Sequence, residues 1–167
     1  KHLPGHGKAR KDSHLELPLV DASLDELETC DFLPFKELSD MPWAMTAHVL
    51  YSALDEHGPA TTSPKIIQEV IREKFGFDGM LVSDDIGMGA LSGSFDERVR
   101  ASLEAGCDVA LHCSGNLQEM IAATKGAMVT SEKSMERLRR GEILRQETVR
   151  DEIVKEDALR RLEELLA

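Results

Sequence analysis

The sequence predicts an α/β fold built on parallel strands, and three observations carry that prediction. Short apolar runs, Trp43–His48 (WAMTAH), Met80-Leu81-Val82 and Cys107–His112 (CDVALH), are too brief for helix cores and alternate with stretches of helical spacing. No hairpin turn joins them, which is the pattern of strands connected by crossover helices. Strand ends fall near residues 2, 47, 83 and 112, giving four βα units with the first strand truncated. A complete (β/α)8 barrel needs about 250 residues. The chain of 167 residues therefore reads as the second half of such a barrel, a segment of a longer protein, over residues 1–130. Residues 131–167 read as charged C-terminal helices that pack on it.

Each element has its own warrant. Lys1–Pro18 holds two glycines, two prolines and three histidines without any period, so it reads as a long loop after a strand end at Lys1-His2-Leu3. Asp21–Leu38 offers short helical turns, with Ser23 as an N-cap. Val49–Ser63 is a second long loop. Ser63-Pro64 is an N-cap followed by proline at the first helical position; Ile66, Ile67, Val70, Ile71 and Phe75 then share one face, and Gly76 stops the helix. Ser94 begins a polar helix that Gly106 closes, and Asn116–Ala127 has helical character. In the tail, Ile153, Val154, Leu159, Leu162, Leu165 and Leu166 recur at helical spacing, the mark of outer helices with solvated faces.

Composition excludes several classes. A net charge of −11, with pI near 5.0, argues against nucleic acid or an anionic membrane as partner. No apolar run approaches membrane-spanning length and no signal-peptide pattern is present. Cys30, Cys107 and Cys113 are odd in number and lack metal-ligand spacing, so they read as reduced thiols of a cytoplasmic protein.

Chemistry-bearing residues gather in two places. Asp12-Ser13-His14 sets a carboxylate two residues from an imidazole, close enough to fix its tautomer and raise its basicity; a plain surface turn is the alternative. His2 and His6 lie beside it, but Pro4-Gly5 forbids the helix on which that spacing would make a metal pair. Asp84-Asp85 ends the central strand, where barrels of this class carry their chemistry. The two carboxylates can be a nucleophile, a metal-ligand pair or a helix cap. Neighbours on a strand face opposite ways, so only one of them can face the barrel mouth.

Three separated motifs, KHLPGHG with the following DSH (Lys1–His14), MTAHVLYSALD (Met45–Asp55) and GFDGMLVSDDIGM (Gly76–Met88), resemble the family-three glycoside hydrolases. The branch they resemble is the bacterial β-N-acetylhexosaminidases that recycle cell-wall muropeptides. The resemblance runs from Lys1 to about Cys113. It implies that Asp84, directly after Ser83, is the catalytic nucleophile, that His14 is the general acid/base with Asp12 as its dyad partner, and that Lys1 and His2 bind sugar hydroxyls. Asp85, His6 and His48 would support the site. It also implies a retaining hydrolysis of terminal β-linked N-acetylglucosamine through a glycosyl-aspartate intermediate, without cofactor or metal, in a bacterial cytoplasm. Two other readings stand beside it. One is a metal-dependent barrel hydrolase using His2, His6, His14 and Asp84; the other is an inactive half-barrel that self-associates through its open edges.

Overall fold

The computed structural model describes residues 1–148 and 155–166. It is α/β with parallel strands, as expected. β1 (Leu19–Val20), β2 (Trp43–Met45), β3 (Leu50–Tyr51), β4 (Met80–Asp85) and β5 (Val109–Leu111) form two parallel sheets, β2-β4-β5 and β1-β3. Leu3 extends the larger sheet beyond β2: its amide donates to the Met45 carbonyl at 2.8 Å and its carbonyl accepts from the Ala47 amide at 2.7 Å. Four segments thus lie side by side in chain order, Leu3, β2, β4 and β5, and their ends match the four strand ends read from the sequence.

The second sheet was not legible. β1 follows the expected loop Lys1–Pro18 and β3 lies inside Val49–Ser63; they pair Leu19 with Leu50 and Val20 with Tyr51. Two residues are too few to show a period of two. Their pairing ties the loop after Leu3 to the loop after β2.

The expected helix after Ser63 is present and capped as read, with the Ser63 hydroxyl accepting from the Ile66 amide at 3.1 Å. From Ile66 to Lys74 it is wound wider, as a π-helix that closes with the Phe75 amide on the Val70 carbonyl at 2.9 Å. Ile66, Ile67, Val70 and Ile71 are all buried on its core side. α1 (Leu24–Glu26) and α2 (Leu33–Glu37) form the short turns before β2, with the Ser23 cap in place. α3 (Phe95–Ala105) starts in a reciprocal Ser94–Glu97 cap and stops at Gly106, whose φ is +114°. α4 (Leu117–Thr124) is capped by Asn116.

α5 (Glu132–Thr148) is fastened to the amino-terminal ends of β4 and β5 by a buried ionic hub. Asp108 accepts from the Arg72 guanidinium at 2.9 Å, the Leu81 amide at 2.8 Å, the Ser134 hydroxyl at 2.6 Å and the Arg137 guanidinium at 2.9 Å. Arg137 and Arg140 also hold Asp78, at 2.8 and 2.9 Å, and the Arg137 guanidinium keeps that carboxyl far below the usual carboxylate range. In α6 (Lys155–Leu166), Leu159, Leu162, Leu165 and Leu166 are exposed. Ile153 and Val154, assigned to the same tail pattern, lie outside the described residues.

Candidate active site

The carboxyl end of β4 carries an irregularity that decides where its carboxylates go. Val82 pairs with Val109 and Asp85 with Leu111, so β4 uses three steps where β5 uses two. Ser83, fully buried, fills the gap: its hydroxyl accepts from the Leu111 amide at 2.9 Å and donates to the Asp84 carbonyl at 2.7 Å. The two carboxylates then take separate partners. Asp84 reaches His2, Nε2 to Oδ2 3.5 Å, and accepts from the Asp85 amide at 2.9 Å. Asp85 accepts from the Gly87 amide at 2.9 Å and the Cys113 amide at 3.2 Å, with His112 Nδ1 at 3.5 Å. They do not share one reacting atom.

His2 is half-buried, and burial lowers its pKa against the opposing pull of Asp84, so the imidazole is held toward its neutral form. Lys1 is exposed beside it, and its charge acts in the same direction as burial. The His2 ring meets His6 edge-on at 5.6 Å, and His6 Nε2 lies 3.4 Å from the hydroxyl of buried Ser13. A continuous series of side chains therefore runs from Asp84 to the residue between Asp12 and His14.

The Asp12–His14 pair forms as its spacing suggested. His14 Nδ1 and the His14 amide both lie 2.9 Å from Asp12 Oδ1, and these bonds hold the Asp12 carboxyl below the usual carboxylate range. The His14 side chain is 75% exposed. The loop bearing this pair is docked on the segment after β4. The Gly89 amide donates to the His14 carbonyl at 2.9 Å, and the Ala90 amide to the Ser13 carbonyl at 3.2 Å. Arg98 of α3 fixes that segment from behind, donating to the carbonyls of Ile86 (2.9 Å), Gly93 (3.0 Å) and Met88 (3.3 Å).

His48, named as a supporting residue, is fully buried beneath β4. Its Nε2 donates to the Asp85 carbonyl at 3.0 Å, which requires a proton there. Burial lowers its pKa, which favours the neutral ring, and Nδ1 lies 2.7 Å from the Thr61 hydroxyl, which donates to the Ala47 carbonyl at 3.0 Å. Thr46, 2.8 Å away, completes the chain by donating to Thr61. Thr61, Gly89, Arg98 and His112 carried no signal in the sequence, because each acts on a group that no local spacing marks. The metal constellation is not assembled. Among the described residues no three His, Cys, Asp or Glu side chains converge as metal ligands must.

Comparison with known proteins gives a consistent picture. β-Hexosaminidases of Tolumonas auensis and Alkalilimnicola ehrlichii are 46% and 47% identical over 119 and 118 residues, each covering 68% of this chain. The chain spans only 35% and 34% of their lengths. Among solved structures, NagZ from Neisseria gonorrhoeae in complex with N-trifluoroacetyl-D-glucosamine is 37% identical with a TM-score of 0.71, over 83% of this chain and 40% of that one. A family 3 β-N-acetylglucosaminidase from Paenibacillus sp. str. FPU-7 is 31% identical with a TM-score of 0.75, over 87% and 30%. The family model described as the glycosyl hydrolase family 3 N-terminal domain matches residues 1–144, and the chain belongs to that family.

Proposed function

We propose that this chain carries the nucleophile and the acid/base of a retaining β-N-acetylhexosaminidase. The observation that supports it best is the Asp12–His14 bond on a loop docked just beyond Asp84, which joins both halves of a double displacement in one unit. In this reading a carboxylate oxygen of Asp84 attacks C1 of a terminal N-acetylglucosamine while His14 Nε2 gives its proton to the departing glycosidic oxygen. His14 then takes a proton from water, whose oxygen attacks C1 and releases Asp84. Asp12, anionic throughout, orients Nδ1 and stabilises the imidazolium that gives its proton in the first step and is re-formed in the second. Lys1 and His2 bind hydroxyls of the sugar. His2 is suited to this as a neutral ring beside the nucleophile.

The substrate class follows from the relatives: they are named as β-hexosaminidases, and one is bound to an N-acylglucosamine. Muropeptides in a bacterial cytoplasm are the proposed natural substrates, which places the protein in peptidoglycan recycling. The four parallel segments in chain order support reading residues 1–130 as the second half of a (β/α)8 barrel, with residues 131–167 as a helical extension.

The test uses the whole chain with 4-methylumbelliferyl β-N-acetylglucosaminide and with a 5-fluoro N-acetylglucosaminyl fluoride, whose fluorine slows breakdown of the covalent intermediate. Turnover, or an adduct on the peptide holding Asp84 that Asp84→Ala abolishes, supports the reading. An adduct on another residue, or neither turnover nor adduct, refutes it for this chain.

A second reading is favoured by the sheet edge: among the described residues β5 pairs with β4 alone, and Val109 is exposed there. Self-association through that edge predicts a dimer mass by light scattering; a monomer mass at high concentration refutes it.

A further inference from the structure

We propose that Gly89, backed by Arg98, positions the acid/base, so that the segment following the nucleophile also sets the place of the group that protonates the leaving oxygen. The inference rests on the reading of His14 given above. Gly89 has an ordinary backbone conformation and is not needed for a left-handed turn. It is needed for space: a Cβ there would lie 2.5 Å from the Leu15 carbonyl oxygen, 2.8 Å from its carbon and 2.9 Å from the His14 oxygen. All three are backbone atoms of the loop that holds the Asp12–His14 pair, so no rotamer change can relieve the contact. Its amide meanwhile holds the His14 carbonyl, and the next amide holds Ser13. Close approach and directed hydrogen bonds coincide on the residues that flank the imidazole.

The dock itself is closely packed and hydrogen-bonded. Ile86 and Leu91 are buried against Val99, Met88 is buried, and Asp85 caps the Gly87 amide. The Arg98 guanidinium gathers three carbonyls of the same segment and stacks over Phe95 at 5.6 Å. None of these groups reaches the reacting atoms. They act through the backbone, the one through steric fit and the other by bracing the surface that is fitted. Asp84, at the start of this segment, and His14, resting on its middle, are thereby held in register by one short stretch of chain.

Gly89→Ala must push the loop back by about 1 Å to restore ordinary contact, and a displacement of that size at a reacting group costs about 100-fold in rate. The loss will be selective. A dinitrophenyl β-N-acetylglucosaminide needs no proton on its leaving oxygen, whereas a methoxyphenyl glycoside does. With the whole chain, Gly89→Ala is expected to lower kcat/KM about 100-fold on the methoxyphenyl substrate and to leave the dinitrophenyl value unchanged. Azide, replacing the base-activated water, is expected to raise kcat on the latter. Arg98→Gln, which frees the braced segment without adding bulk, should show the same selectivity. A structural defect lowers both substrates alike, and that result, or no change in either, overturns the positioning role. His14→Ala separates the two claims: if it too is unselective, the acid/base reading itself fails. A selective His14→Ala with an unselective Gly89→Ala refutes the positioning role alone.

Discussion

Removing the carboxylate of Asp108 should destabilise the protein without touching its chemistry. Its side chain is 3% exposed and those of Arg72 and Arg137 are 10% and 8% exposed, so the three charges are held largely out of water. Asp108→Ala deletes the acceptor of four hydrogen bonds and leaves the Leu81 amide with no partner at that position. Breaking a buried ion pair costs about 3–5 kcal/mol, because the surviving charge stays buried. Here Arg72 keeps the Phe77 and Gly79 carbonyls and Arg137 keeps Asp78, which puts the loss at the lower end, about 3 kcal/mol. For a chain of this size that lowers Tm by roughly 6–12 °C. Urea denaturation followed by circular dichroism measures it directly. Asp108→Asn, which retains acceptors for two of the four donors, should lose less. Asp84 lies at the opposite end of β4, so labelling by the fluorinated sugar below the transition should be unaffected. A loss under about 1 kcal/mol, the worth of a single ordinary hydrogen bond, would refute the hub as a determinant of stability.

The same hub predicts acid lability. Burial opposes the Asp108 charge, but the Ser134 hydroxyl, the Leu81 amide and Arg137 outweigh it and leave the carboxyl below its ordinary 3.8. The folded state therefore binds fewer protons than the unfolded one, so the stabilisation is present above that value and is lost as pH falls through the folded one. Unfolding free energies measured down this range should fall steeply in the wild type and less so in Asp108→Ala. At the site, Asp12→Asn keeps a hydrogen-bond acceptor for His14 but removes the charge facing the imidazolium, and should lower kcat/KM on a poor leaving group by about 100-fold. Unchanged activity would remove Asp12 from the dyad. Gly106→Ala places a side chain at φ +114° with its Cβ 3.0 Å from Ile67 Cγ2. It should cost about 1–2 kcal/mol, read as a lower denaturant midpoint at constant slope.

The strands of the larger sheet were legible because each is a short apolar run bounded by turn chemistry, and Ser63, Ser94, Gly76 and Gly106 announce helix ends through their own side chains or lack of one. The wider winding of Ile66–Lys74 was not, since the same apolar spacing serves either helix. The Asp12–His14 bond was legible because it needs only two residues of separation, whereas the residues alone left Asp84 open between nucleophile, metal ligand and helix cap, and only the family resemblance singled it out. The support around them could not be read. Arg98 binds carbonyls, which every residue possesses, and Gly89 matters for what it lacks. Thr61 reaches His48 across the loop after β2 that showed no period at all.

The bulge in β4 has a consequence for how this site can change. A strand alternates its faces with every residue, so the extra step between Val82 and Asp85 resets the phase, and Ser83 seals the reset with two hydrogen bonds. Which of two identical neighbouring carboxylates looks toward His2 is therefore settled by a count of residues rather than by their chemistry. Exchanging Asp84 and Asp85 would alter nothing in the sequence, whereas deleting Ser83 would turn Asp84 inward and present Asp85 instead. Single substitutions can weaken this site, but only insertion or deletion can re-address it.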